Sequence, residues 1–449
     1  MPLLKDRAFY KNIIAIALPI ALQNLIGFGV NMTDTIMIGS LGQTQLSAVS
    51  LANQVFFIFN ILTFGISSGA CVLTAQYWGK GDTAAIRRVF AIALDIAVLF
   101  SLLFSAAAFF FPHEIMCLFS TEASIIAEGV KYLRIMAFAY FFFGITNTYL
   151  TVLRSIENVH ISLIVFGSSF VVNVIVNYLL IFGKLGFPKM GVVGAAIGTL
   201  TARIVEFIMI IVYIVFVEKK IRFSFTDMLK PDRLLFRDYI SYGIPVLFNE
   251  LLWSVGSSMQ SVIIGRIGSD FVAANSITGV FMQLTTIIIF GVASAAAVVV
   301  GKAVGSGQND YVRKCADTLM LLSVGIGIFG AAMLLSLRGI AVSFYNVPDA
   351  TKSLAQTLMI IAAINVFFVS VNAINLIGTL RGAGDTKFVF AADTIMIWVL
   401  AAPLGILTGW VLKLPFWIVY FCLKIDEPIK AIASIARIKG SKWVKNVTR

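Results

Sequence analysis

A segment that begins at Pro19 returns at Pro245, 226 residues later and without a gap. The offset carries Pro19-Ile-Ala-Leu-Gln-Asn onto Pro245-Val-Leu-Phe-Asn-Glu. It holds through Gly39 and Gly265, Gly42 and Gly268, Ala48 and Ala274, Gly65 and Gly291, Ser68 and Ser294, Gly79 and Gly305, Gly81 and Gly307, and Arg87 and Arg313. About 16 of some 71 paired positions are identical, and most of the rest exchange one apolar residue for another. A repeat of this length in an apolar chain predicts one helical bundle built twice, with a substrate path between the copies.

The chain of 449 residues is 59% hydrophobic and 12% charged, where a soluble domain carries about a quarter charged residues. Apolar runs near 13–38, 50–77, 89–112, 132–153, 161–183 and 191–217 are each long enough to cross a bilayer as a helix. A second set lies near 238–264, 271–300, 315–337, 353–380, 388–412 and 414–436, the last interrupted by Lys424, Asp426, Glu427 and Lys430. The expected fold is an all-α membrane protein: twelve transmembrane helices in two six-helix bundles, related by a pseudo-twofold along the membrane normal. The polar, basic stretch from Glu218 to Tyr239 divides it. The expected organisation is an N-terminal lobe over 1–217, a cytoplasmic connector over 218–239, and a C-terminal lobe with a short cytoplasmic tail over 240–449. The first apolar run reads as a span, being too long for a cleavable leader.

The formal charge of +12 raises the question of nucleic acid, and its distribution answers it. About 23 of the 34 Lys and Arg fall at the termini and in the loops on their side, among them Lys5, Arg154, Lys230, Lys302, Arg381 and Arg449, against about 8 opposite. This positive-inside bias predicts cytoplasmic termini and an even span count, and it speaks against nucleic acid as a partner. No phosphate-loop pattern occurs, so an ion gradient rather than ATP is the expected energy source. Serine-hydrolase and zinc-protease motifs are absent too, and enzymatic activity is not expected. The four cysteines lack metal-ligand spacing and are expected to be buried small side chains.

Ionisable groups inside apolar spans are costly and face a partner or a cavity. Asp34 lies toward the outer end of span 1 and Glu250 near the middle of span 7. They are not copies: the repeat pairs Asp34 with Gln260 and Glu250 with Asn24. Ten residues of register separate them, about 15 Å of depth, so they are expected to serve different sites. Each could exchange a proton or hold Na⁺, or simply fix helix packing by a hydrogen bond. Asn173 and Asn177, spaced i and i+4 on span 5, could line one polar cavity with Asp34, or join helices. In span 6, Arg203 and Glu206 are expected to pair beside Thr199 and Thr201. In span 11, Asp393 is read as standing where span 5 has Asn173, which makes a cavity in the second lobe conceivable. Trp398 and Glu427 are weaker candidates. The turn Arg381-Gly-Ala-Gly-Asp-Thr-Lys387 parallels Leu153-Arg154-Ser155, with Asp385 as a candidate cap for the helix that follows. Aromatic clusters such as Phe56-Phe57-Ile-Phe59 and Tyr140-Phe-Phe-Phe143 would suit planar cations, although most such rings pack or face lipid. His113 and His160 are expected in loops, which leaves no histidine relay.

These residues together resemble the multidrug and toxic compound extrusion family: Pro19, Asp34-Thr-Ile-Met-Ile-Gly39-Ser-Leu-Gly42, Gly265-Arg-Ile-Gly268, Leu380-Arg-Gly-Ala-Gly-Asp-Thr-Lys387 and Gly440-Ser-Lys-Trp443. The likeness covers essentially the whole chain. It implies two six-helix lobes in a V and secondary active antiport of organic cations or amphipathic drugs against H⁺ or Na⁺ by alternating access. It also implies a monomer in a bacterial plasma membrane whose only cofactor is the coupling ion. The family's first-lobe site maps onto Asp34, Asn173, Asn177 and Thr199. Asn177 stands where the family often has Asp. Its second-lobe glutamate maps onto Glu250. The expected partner acid falls near Ser370 and Asn372 and is missing. Asp393 is carried as a supporting residue. The alternatives are a lipid-linked oligosaccharide flippase of the same superfamily, which needs a strongly cationic cavity where the one clear intramembrane arginine, Arg203, lies beside Glu206, and a passive channel.

Overall fold

The computed structural model describes residues 3–4, 6–223, 225–229, 232–345 and 347–448. Lys5, Lys230 and Arg449, which entered the charge count, lie outside the described residues. Among these there are helices and no strand. In chain order they are α1 (Arg7–Gly39), α2 (Gln43–Lys80), α3 (Thr83–Phe110), the short α4 (Pro112–Phe119), α5 (Ala123–Ser155), α6 (His160–Phe182) and α7 (Val192–Val212). The second set is α8 (Arg233–Gly265), α9 (Ser269–Gly305), α10 (Asn309–Ser343), α11 (Asp349–Asn372), α12 (Thr386–Ile395), α13 (Ala402–Ile406), α14 (Phe416–Leu423) and α15 (Asp426–Lys439).

The repeat sets the helix boundaries. Arg7 and Arg233, Gln43 and Ser269, Thr83 and Asn309, Ala123 and Asp349, and His160 and Thr386 each open a helix, and each pair is 226 residues apart. Pro19 and Pro245 sit inside α1 and α8, where each removes one helical hydrogen bond at the same place in the two copies. The copies then differ for identifiable reasons. Pro112 stops the first from running on as α10 does, because its ring cannot donate and opens α4 instead. The other departure is an extra residue: Arg381 follows Arg154 by 227, not 226. The second copy absorbs it as a π-helical stretch, Ala373–Leu380, at the end of α11, where α5 is regular. A π turn is a one-residue insertion in an α-helix, so it keeps the residues on either side in step. Further π stretches, Met396–Ala401 and Leu407–Val411, flank α13, so Thr386–Val411 is one span.

Ten of these elements are long and apolar enough to cross a membrane. The remaining two spans are α8 and the α14–α15 pair, six spans before the connector and six after it. α8 has the length, at 33 residues, but Tyr239, Ser241, Tyr242, Asn249 and Glu250 dilute its apolarity. The last span is broken at Lys424 and Ile425, which join the eight residues of α14 to α15.

The described chain forms two compact units. One comprises 22–74 and 82–240, the other 1–21, 75–81 and 241–449. In the first, Phe56, Phe59, Tyr140 and Phe143 pack on one another with ring centroids 5.0–6.1 Å apart, so these aromatics form the core. Its connector is tied down by Asp232, which accepts the amides of Leu234 and Leu235 and pairs with Arg88 at 2.7 Å. The Leu235 amide, with the other amide and the guanidinium, holds that carboxyl below the usual carboxylate range.

In the second unit α2 and α9 cross at their ends at backbone contact. A Cβ on Gly79 would fall 2.0 Å from the Lys302 carbonyl oxygen, and one on Gly305 would fall 1.8 Å from that of Gln76. Gly79 and Gly305 are repeat partners, as are Gln76 and Lys302, so the repeat meets its own copy here. The Gln76 side chain then holds Gly382 and the chain end, donating to the Gly382 and Lys445 carbonyls and accepting the Val447 amide at 2.8 Å. Trp443 is 1% exposed.

Three expectations are corrected. Asp385 stands at the cap of α12 but makes no capping bond, because its buried carboxylate takes Arg437 at 2.7 Å and Lys445 at 2.5 Å. Cys117 is exposed on α4, while Cys315 is buried and Cys71 and Cys422 are partly so. His113 and His160 lie at helix starts rather than in loops.

Candidate functional site

Each unit contains one polar cluster at membrane depth. In the first, α1 brings Asp34 against α6, where Asn177 donates to its Oδ1 at 2.6 Å. The i, i+4 spacing places Asn173 on the same face, and its Oδ1 accepts a second, longer bond from Asn177 at 3.3 Å. Both asparagines are buried. Room for them comes from Gly198 on α7, since a Cβ there would stand 1.9 Å from the Asn177 oxygen. Thr199 follows, within hydrogen-bonding reach of the Tyr132 hydroxyl, which also donates to Asn53. The Arg203 Nη1 donates to both carboxylate oxygens of Glu206, at 2.7 and 2.9 Å, and the guanidinium lies over the Phe143 ring. Asp34, Asn173 and Asn177 therefore form one hydrogen-bonded chain. Such a carboxylate keeps acceptor capacity for a proton or a cation.

The second cluster is larger than its sequence promised. Glu250 on α8 meets Arg381 at 2.8 Å, with the arginine side chain 3% exposed. The copies explain one another here. Arg154, the counterpart of Arg381, donates to the Gln23 side-chain oxygen at 3.4 Å, next to Asn24, the counterpart of Glu250. Beside this pair Asn249 donates to Asp393 at 3.1 Å. Asp393 also faces Lys430 at 3.6 Å, and Lys430 bonds Asp426 at 2.9 Å and Glu427 at 2.7 Å. Gln260, the counterpart of Asp34, accepts from Lys424 at 2.8 Å.

The placing of Asp393 opposite Asn173 does not survive. With α6 opening at His160 and α12 at Thr386, its counterpart is Gly167, and Asn173 corresponds to Val399. Ser370 and Asn372, where an acid was expected and missing, turn elsewhere. Ser370 donates to the Ser323 carbonyl, while Asn372 donates to the Glu427 carboxylate at 2.7 Å and so recruits an acid from α15. Trp398 donates to the Leu252 carbonyl at 3.3 Å. Sequence reasoning missed Asp426, Lys424 and Lys430, which it took as interruptions of a weak span. Their i, i+4 spacing, Asp426 to Lys430, was the available signal. Among the described residues no three His, Cys, Asp or Glu side chains are spaced to hold a metal ion.

The chain is similar to known proteins over most of its length. The MatE family model matches residues 19–179 and 245–407, the two copies of the repeat. A probable multidrug resistance protein NorM of Rhizobium meliloti (strain 1021) is 30% identical over 393 residues, 86% of this chain and 83% of that protein. The multidrug resistance protein PmpM of Pseudomonas aeruginosa PAO1 is 24% identical over 414 residues, 91% of this chain and 86% of its own. Among solved structures, an outward-facing multidrug resistance MATE family transporter of the MOP superfamily superposes with a TM-score of 0.86 at 18% identity, covering 96% of both chains.

Proposed function

Because this chain belongs to the MatE family of membrane transporters, we propose that it is a multidrug exporter working as a secondary active antiporter. Its cargo is organic cations and amphipathic drugs, exchanged for H⁺ or Na⁺ by alternating access, with both termini in the cytoplasm of a bacterial plasma membrane. The observation that carries this reading is that the first helix of each repeat sets a carboxylate on a polar partner from another helix: Asp34 on Asn177 at 2.6 Å, and Glu250 on Arg381 at 2.8 Å. A carboxylate that releases its ion as a cationic substrate loads, and regains it as substrate leaves, couples the two by competition for one charge. Removing such an interaction costs most in the state that needs it.

Drug efflux from proteoliposomes under a pH gradient and a Na⁺ gradient, applied separately, tests the reading. One gradient should drive accumulation in the unmodified protein, and Asp34→Asn or Glu250→Gln should reduce it at least tenfold. Full ion-driven efflux in both variants would remove these carboxylates from the coupling. The flippase alternative calls for unpaired cationic surface. Arg203 and Lys430 each have a carboxylate within 2.7 Å, and Arg381 has one at 2.8 Å.

A further inference from the structure

The second unit holds a lysine in the middle of a shell of oxygens. Lys430 is 3% exposed, and its ammonium stands 2.7 Å from Glu427, 2.9 Å from Asp426 and 3.6 Å from Asp393. An ammonium stripped of water needs compensation by charge, and three carboxylates supply it. Two amides hold the acids in place: Asn249 donates to Asp393 and Asn372 to Glu427. Carboxylate oxygens are the donor set of a hard cation. Here an ammonium on a four-carbon tether occupies it, at an effective concentration that a free ion in solution does not match.

We propose that Lys430 is the residue that excludes Na⁺ from the second unit: a built-in cation that fills the Asp393, Asp426 and Glu427 shell. Among the described residues no three His, Cys, Asp or Glu side chains are spaced to hold a metal ion, and these three acids are set around the ammonium. With Lys430 and Lys424 counted, the three acids leave the group one negative charge; without Lys430 they leave two. The removal of one lysine should therefore turn a filled shell into an attractive one. Under the antiport reading the consequence is that Na⁺, where it couples, couples outside this shell. The binding statement itself does not depend on transport.

Equilibrium binding of ²²Na⁺ to the purified, detergent-solubilised protein at neutral pH, in choline buffer, tests it in four forms: unmodified, Glu427→Gln, Lys430→Met and Lys430→Met with Glu427→Gln. The unmodified protein and Glu427→Gln should bind the same amount of Na⁺. Lys430→Met should bind one Na⁺ more per protein, and the double variant should lose that ion again. A drop in binding on Glu427→Gln alone, or no gain on Lys430→Met, overturns the proposal. Should Lys430→Met fail to yield folded protein, Lys430→Gln takes its place with the same expected gain of one Na⁺, and no gain there overturns the proposal. A failure of the antiport reading appears only in the gradient experiment and leaves these readings unmoved.

Discussion

At the scale of single residues, the two copies keep their arginine and change what it meets. Arg154 finds an amide in Gln23, and Arg381 finds a carboxylate in Glu250. The opposite swap occurs ten residues on, where Asp34 meets the Asn177 amide and its counterpart Gln260 meets the Lys424 ammonium. Each unit thus matches its own acid with its own partner. The Asn177 donor is the simplest to remove. A hydrogen bond to a charged group contributes about 1.5–3 kcal/mol, so Asn177→Leu should lower ion-driven efflux about tenfold, while Asn177→Asp, which sets two carboxylates in contact, should steepen its dependence on pH. Efflux rates in proteoliposomes across pH 6–8 read both outcomes. The Asp34 cluster was legible in sequence because one helix supplies two of its members at a fixed spacing. The Lys430 cluster was not, because its acids and amides come from α8, α11, α12 and α15. A charge read along the chain looks like an interruption until those helices converge on it.

At the scale of elements, the crossing of α2 and α9 separates glycines that fit from glycines that are merely present. Gly305 leaves no room for a methyl group against the Gln76 carbonyl, whereas Gly279, in the same helix, has nothing within 4 Å of where a Cβ would be. Gly305→Ala should therefore cost on the order of 2 kcal/mol or more through forced backbone movement. Gly279→Ala should be neutral or stabilise by up to about 1 kcal/mol through helix propensity. Thermal unfolding of the solubilised protein, followed by fluorescence-detected size exclusion, should place Gly305→Ala below the unmodified protein and Gly279→Ala level with it or above it. The apolar runs and turn residues made the helices themselves legible. The last span was the weakest there and is the one the structure breaks. Nothing local announces that α14 ends at Leu423, since that break answers to the placement of Lys424 and Lys430 among their partners.

For the molecule as a whole, the charge asymmetry carries the expectation of orientation. If the termini face the cytoplasm, α4 lies outside, and it carries the exposed Cys117. A membrane-impermeant maleimide added to intact cells should label the protein. It should stop doing so in Cys117→Ser, with Cys315 buried and Cys71 and Cys422 only partly accessible. Labelling confined to everted vesicles would reverse the topology. The positive-inside rule made this expectation possible from sequence, while the partition of α1 and α2 between the compact units was invisible to it, being written in contacts between distant segments.

The π stretch at Ala373–Leu380 also has a history. Five helix starts have stayed 226 residues apart since one half was copied from the other, so the interval between the first and the last of them shows no net gain or loss. Inside it the count goes up by one before Arg381 and comes back down before Thr386. The second half has one residue more in the helix and one fewer in the turn, and the two differences cancel. An insertion that a helix has swallowed is one it can give back. Removal of a single residue between 373 and 379 should let the segment revert to the regular winding of α5 and still yield folded protein. The same deletion in the middle of α5, with no surplus residue to surrender, should turn everything beyond it by about 100° and abolish expression.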